Sequence, residues 1–396
     1  MTPSEPGNDV IKAAACRALF NQNLLPRLFN PCPRRNPGIS LAPGIGHIVL
    51  ALLLLLATLA QAGAQPANPS PLWPILDIAS VPHLDERGRT QYARFIQTNL
   101  PRAFALSPSG KLGWASGFGA SIEDVRAKAL ESCTDKGATD CVLYAENLAI
   151  VWPVLAWADT PAPLALISTT THAFVPDERF LWHGPQAAAG VYVWGHGKAP
   201  GTTTDSRGRQ PPPHVRRLNN LGYDIIRFDR APASDQVSRA ELWLRDGLRE
   251  LRQMGWRRII VGGQSRGGWN ALQMLNHADT ADGIVAVVAA SHGADATRPE
   301  MARRQHDDLR RVLTSLSNQP TRVVIVQFRD DPYNGNPDRL LELYADRLQP
   351  KIGALLLIDR PEGFTGHGAG GSNNFAARYS LCITQFLLGA ARPATC

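Results

Sequence analysis

The chain has 396 residues, 44% of them apolar, and a formal net charge of +7. That is enough apolar sequence for one large core and a small additional domain. Residues 1–64 hold five Lys/Arg and two Asp/Glu, so the rest keeps a mild +4, and no basic run interleaved with aromatics points to nucleic acid as a partner.

In chain order, the first feature is an uninterrupted apolar run over residues 48–60, preceded by Arg34 and Arg35 and followed by Ala62-Gly63-Ala64. The run is short for a membrane span and has the length of a signal-peptide core, and small-x-small is the pattern of a cleavage site. Residues 1–64 therefore read as a leader, and the product as exported, periplasmic or secreted, with no stable membrane span after cleavage. An uncleaved anchor is the alternative. The long stretch before the run fits either an early-assigned translation start or an uncommon leader.

Residues 65–71 read as a polar, proline-containing linker. A small α+β module follows over 72–152. Residues 102–106 and 112–115 read as two strands joined by the turn signal Ser107-Pro108-Ser109-Gly110-Lys111. Ser121 reads as the cap of a helix that runs to about residue 136, with Asp124 at its third position. Another strand begins at Cys141. Over about 101–150 this pattern resembles a small Cys-paired module of exported bacterial proteins, and the resemblance implies no catalytic residues.

Of six cysteines, Cys16 and Cys32 fall in the leader. Cys133, Cys141, Cys382 and Cys396 remain, an even number in an exported chain, and they group into two sequence-local pairs. Cys133–Cys141 would join a helix end to the next strand, and Cys382–Cys396 the C-terminal tail to the last helix. Metal binding is the rival reading, but no CxxC or neighbouring histidine pair supports it. The expectation is two disulfides, no metal and no cofactor.

From residue 164 onward, strands and helices alternate. Runs at 191–194, 223–228, 259–261, 283–290, 322–328 and 354–359 read as strands, and 237–254 as a long helix with one apolar stripe. Continuous apolar strands between helices imply a parallel sheet covered on both faces. The run Arg257-Arg258-Ile259-Ile260-Val261 leads into Gly263-Gln264-Ser265-Arg266-Gly267, and residues 269–275 then read as helix. Strand, tight turn and helix around Gly-x-Ser-x-Gly form the context of a nucleophile elbow. The glycines leave room for a turn so sharp that the serine takes strained backbone angles.

The order strand-HisGly, helix-GlyTyr, strand-Asp, helix, strand-GlyXSerXGly, late strand-Asp and last strand-His resembles the α/β-hydrolase family over roughly 164–388. The resemblance implies an α/β fold with a mostly parallel central sheet flanked by helices, in a catalytic domain spanning 164–396. It also implies a Ser-His-Asp relay. A serine hydroxyl is a poor nucleophile until a base within reach takes its proton and an acid orients that base.

Ser265 is the expected nucleophile, and His367, in a glycine-rich loop after the last strand, the expected base. His292 competes as base, but directly follows the strand after the elbow helix, which suits it to the pocket, as the strand-end position suits His196. The acid is Asp330 or Asp331, and the register favours Asp331. Asp338 lies close to the next helix, and Asp359 would serve only if the loop folded back. The backbone N–H groups of Arg266 and of Gly197 or Lys198 are the expected oxyanion donors. The Arg266 side chain would either bind an acidic substrate group or pair with a nearby carboxylate. The function so implied is hydrolysis of a small ester or acyl substrate. A serine peptidase of the same fold, or a non-catalytic envelope-binding protein, are the alternatives.

Overall fold

The computed structural model describes residues 73–117, 119–153, 162–198, 205–292, 298–334, 336–390 and 396. The expected leader and linker lie outside them.

The first sheet is antiparallel, in the order β2-β1-β3-β4. Its strands are β1 (Arg102–Leu106), β2 (Leu112–Ser116), β3 (Val142–Glu146) and β4 (Ala149–Ile150). Successive side chains leave a strand on opposite faces. Phe104 and Leu106 accordingly join Tyr92 and Phe95 of α1 (Glu86–Phe95), while Ala103 and Ala105 pack with Val125, Ala129 and Cys133 of α2 (Ile122–Thr134). The small residues on the second face let α2 lie close. A Cβ on Gly113 would strike the backbone of Ala129, Ser132 and Cys133. Ser121 Oγ accepts the N–H of Asp124 at 3.1 Å, filling one of the orphan donors of the first helical turn. α2 stops at Thr134, two residues before the expected end, and Cys133 bonds to Cys141 just ahead of β3, with Cα atoms 6.2 Å apart.

The second sheet has eight strands: β5 (Ile167–Ser168), β6 (His172–Pro176), β7 (Gly190–Gly195), β8 (Tyr223–Arg230), β9 (Ile259–Gln264), β10 (Gly283–Val287), β11 (Arg322–Gln327) and β12 (Ala354–Asp359). Their order is β12-β11-β10-β9-β7-β8-β6-β5. Pairing is parallel from β12 to β8, then antiparallel for β8 with β6 and for β6 with β5. The expected mostly parallel sheet is present. The two strands at its β5 edge were not legible, because 167–168 and 172–176 are short and half-buried and lack the long apolar runs of the central strands.

Alternation along the strands sorts the core into two layers. Val191, Val193, Ile259, Val261, Ile284, Ala286, Val323 and Ile325 face one side. They meet α4 (Val237–Met254), α5 (Arg266–Gln273), α6 (Pro299–Thr314) and α7 (Pro337–Leu343) through residues such as Leu244, Leu248, Trp269, Leu309 and Leu340. Tyr192, Trp194, Ile260, Val285, Val287, Val324 and Val326 face the other. There they meet α3 (Arg216–Asn220) and α8 (Asn373–Leu387) through Leu218, Phe375, Tyr379, Ile383 and Phe386. Burial on both faces is why these strands read as continuous apolar runs.

Both sheets belong to one compact unit, Pro69–Cys396. Asn99 Nδ2 donates to the carbonyl of Pro211 at 2.9 Å, Leu100 and Gln210 exchange two hydrogen bonds of 3.1 Å, and Asn220 Nδ2 donates to the carbonyl of Ile96 at 2.9 Å. Cys382 in α8 is bonded to Cys396, with Cα atoms 5.5 Å apart. Among the described residues, no helix is long and apolar enough to cross a membrane.

Candidate active site

The end of β9 delivers Ser265 at φ 55° and ψ −119°, a left-handed backbone that a serine adopts only when its surroundings impose it. The imposition comes from packing. A Cβ on Gly263 would meet the carbonyl of Gly267, and one on Gly267 would meet the carbonyl of Gly195 in β7. Helix α5 can therefore start directly over β7 and β9 only because both positions lack a side chain. The turn is pinned on its other side as well. Ser265 N–H donates to the Val287 carbonyl at 2.9 Å, and the Ser265 carbonyl accepts from Ala290 N–H at 3.1 Å.

The strand order, counted one to eight along the chain, is 1-2-4-3-5-6-7-8 with the second strand antiparallel, and the strained serine sits between the fifth strand and its following helix. The chain has the α/β-hydrolase fold.

In an α/β-hydrolase sheet, ligands meet the carboxyl ends of the strands. His367 arrives there from the loop after β12. Its Nδ1 lies 2.9 Å and 3.0 Å from the two carboxylate oxygens of Asp331, in the loop after β11. Of the two candidate acids, Asp331 is thus the one that meets the imidazole. Its side chain is buried, and Oδ1 also accepts the N–H of Tyr333 at 2.9 Å. Asp330, at φ 55°, is exposed. Asp359 and Asp338 both pair with Arg360 instead.

Three contacts register the His367 loop. Gly366 N–H donates to the Arg329 carbonyl at 2.7 Å, which ties it to the loop carrying Asp331. The Tyr333 ring packs on the imidazole with centroids 4.4 Å apart. Gln264 Nε2 donates to the His367 carbonyl at 2.7 Å, which ties it to the elbow. Among the described residues no hydrogen bond joins Ser265 Oγ to His367. Such bonds commonly tighten only when substrate is bound. Neither Tyr333 nor Gln264 was singled out from sequence. Gln264 stood in plain view within the motif, but its acceptor lies 103 positions away.

The turn after β7 lies against Ser265. A Cβ placed on Gly197 would be 3.4 Å from Ser265 Cβ and 4.0 Å from Oγ. Lys198 follows with its side chain exposed. Arg266 is the first residue of α5, so its N–H has no carbonyl one turn back to accept it, and it lies at the positive end of the helix dipole. Its guanidinium is buried. It donates to the Ser291 carbonyl at 3.0 Å and stands 3.7 Å from Asp235, so it pairs with a carboxylate of the protein itself.

His196, expected at the substrate pocket, is buried, and both of its ring nitrogens are engaged by the protein. Nδ1 lies 2.8 Å from the Gly197 carbonyl, and Nε2 accepts the N–H of Arg230 at 3.1 Å. Burial first, and the Arg230 charge second, push its pKa down to about 3, so the ring is neutral with its proton on Nδ1. His292 stands beyond β10, where Nε2 meets Asp308 at 2.7 Å, and Ser291 Oγ donates to the same carboxylate at 3.1 Å.

No protein-family model and no curated protein matches the sequence. Solved structures that resemble this α/β-hydrolase fold include a puromycin-hydrolysing peptidase of Mycobacterium tuberculosis, at 18% identity over 57% of this chain and 38% of its own, TM-score 0.37. An esterase of Pyrococcus furiosus matches at 15% over 59% and 98%, TM-score 0.40. The acylaminoacyl peptidase of Pyrococcus horikoshii matches at 15% over 58% and 41%, TM-score 0.40. The chain thus spans well under half the length of the two peptidases. Its own strand order and elbow, not these likenesses, decide the fold.

Proposed function

We propose that the chain is an exported serine hydrolase that cleaves carboxylic esters through an acyl-enzyme on Ser265. The observation that carries this reading is the His367–Asp331 pair, held on a loop that Gln264 fastens to the elbow. Asp331 accepts a hydrogen bond from Nδ1–H, which keeps the proton on that nitrogen and so leaves Nε2 as the basic nitrogen. Nε2 takes the proton of Ser265 as Oγ attacks the ester carbonyl. The carbonyl oxygen becomes an anion, received by the N–H groups of Arg266 and of Gly197 or Lys198. Collapse expels the alcohol, which takes the proton from His367. Water, deprotonated by the same nitrogen, then attacks the acyl-enzyme, and collapse releases the acid as His367 returns the proton to Ser265 Oγ.

No cofactor or metal takes part in this scheme, and the partner is a small ester or acyl substrate. Two disulfides within one chain fit an oxidising compartment, which supports export. Labelling with a fluorophosphonate tests the assignment. The wild type should be modified covalently and the Ser265→Ala variant should not. Equal labelling of both would remove Ser265 as the nucleophile. Chromogenic esters of graded chain length, run beside peptide amides, separate esterase from peptidase. Hydrolysis of peptides alone would overturn the ester assignment.

A further inference from the structure

Beneath the nucleophile lies a charged cluster that the scheme above does not use. Arg230, at the end of β8, is fully buried. Its backbone N–H donates to His196 Nε2, and its guanidinium donates to the His196 carbonyl. His196 in turn reaches the Gly197 carbonyl. Arg230 therefore grips the turn after β7 from below, at the ring and at the main chain. Arg266 grips the other side. Its guanidinium donates to the Ser291 carbonyl in the segment after β10, and its own main chain opens α5.

One carboxylate stands between the two. Asp235, 4% exposed, sits between β8 and α4, with Oδ1 3.2 Å from Arg230 Nε and 3.7 Å from Arg266 Nη1. The first contact is an ion pair without the angle of a hydrogen bond, so charge rather than a directed bond holds it. Burial pulls the pKa of both guanidinium groups down, and Asp235 opposes that pull on each. Breaking a buried pair from one side leaves the remaining charge uncompensated, which is far costlier than losing a surface pair. Here one removal would strand two cations in contact with the two segments that supply oxyanion donors.

We infer that Asp235 is a positioning residue that sets the spacing of the oxyanion donors by clamping Arg230 and Arg266 together. This rests on the hydrolase reading above and adds the device that aligns its donors. Donors aimed at the tetrahedral oxygen lower the barrier without strengthening ground-state binding. Loosening the clamp should therefore lower kcat and leave KM nearly alone.

The experiment measures ester hydrolysis, fluorophosphonate labelling and inhibition by an alkyl boronic acid, whose serine adduct is tetrahedral and anionic. Asp235→Asn should lower kcat by about tenfold or more, with KM within about twofold, and weaken the boronate by a similar factor. Asp235→Glu keeps the charge and should recover part of the loss. If Asp235→Asn does not fold, Asp235→Glu decides, with kcat and boronate affinity falling together at unchanged KM. Unchanged kcat and boronate affinity in the folded variants, beside a labelled and active wild type, would overturn the clamp and leave the hydrolase reading standing. An unlabelled, inactive wild type would instead remove the hydrolase reading, and the clamp with it.

Discussion

Gln264 reaches from the elbow to the backbone carbonyl of His367 at 2.7 Å, so the residue before Ser265 holds the loop that carries the imidazole. The contact uses a main-chain acceptor and leaves both imidazole nitrogens free for Asp331 and Ser265. Its effect is to limit how far the His367 loop can move from the serine. Gln264→Ala should lower kcat by roughly three- to tenfold through loss of orientation, and leave the urea midpoint almost unchanged. Steady-state kinetics beside urea unfolding check this. An unaltered kcat would mean that Gly366 and Tyr333 hold the loop without it.

Asp331 and Asp330 are adjacent yet should behave differently. Asp331→Asn removes the acceptor that orients His367, and turnover should fall by about a thousandfold or more. Asp330→Asn alters an exposed side chain and should stay within about twofold of wild type. Comparing kcat/KM of the two variants on one ester gives the answer. Equal losses would mean that the acid is not Asp331 alone.

His214 and His196, held neutral inside the fold, should each withdraw stability as the pH falls. Burial pushes His214 down to about 4 and His196 down to about 3, from an ordinary value near 6.5. Both folded values are depressed. The stability the two neutral rings contribute is therefore whole above about pH 6.5, and it is lost as pH falls toward 4 and 3, because only the unfolded chain takes up the proton. Each ring should cost roughly 1.4 kcal/mol per pH unit across that window. His214→Phe keeps a ring beside Trp194 and Phe375 while removing one titrating group. Measured by urea unfolding from pH 7 to 4, the variant should gain on wild type by about that slope between pH 6 and 4. Parallel pH curves would show that His214 is not held neutral.

Each disulfide should stabilise the fold by limiting the unfolded chain. Cys133–Cys141 closes eight positions and Cys382–Cys396 fourteen. Chain-entropy arguments put these at about 2.5 and about 3 kcal/mol. Cys133→Ser and Cys382→Ser should lower the unfolding free energy by comparable amounts, and reductant should abolish each difference. Mass mapping of unreduced protein checks the pairing, and free thiols at all four positions would refute it.

The strands and the elbow were written locally. Central strands buried on both faces leave unbroken apolar runs such as 191–194 and 322–328, and the sharp turn at Ser265 demands Gly263 and Gly267 within three positions of it. Chain order was enough to point at His367 and to narrow the acid to two neighbours. Which neighbour faces inward was decided by the tertiary structure, because at φ 55° Asp330 turns the chain so that Asp331 goes under the imidazole. Strand β6 gains its pairing from β8, fifty or more positions on, β5 pairs in turn with β6, and both carry little apolar signal of their own. His196 looked available at a strand end, and only the folded chain brings Arg230 to occupy it. Short-range sterics and hydrophobic period are encoded in consecutive residues, whereas charge pairing inside the core depends on which distant segments the sheet sets side by side.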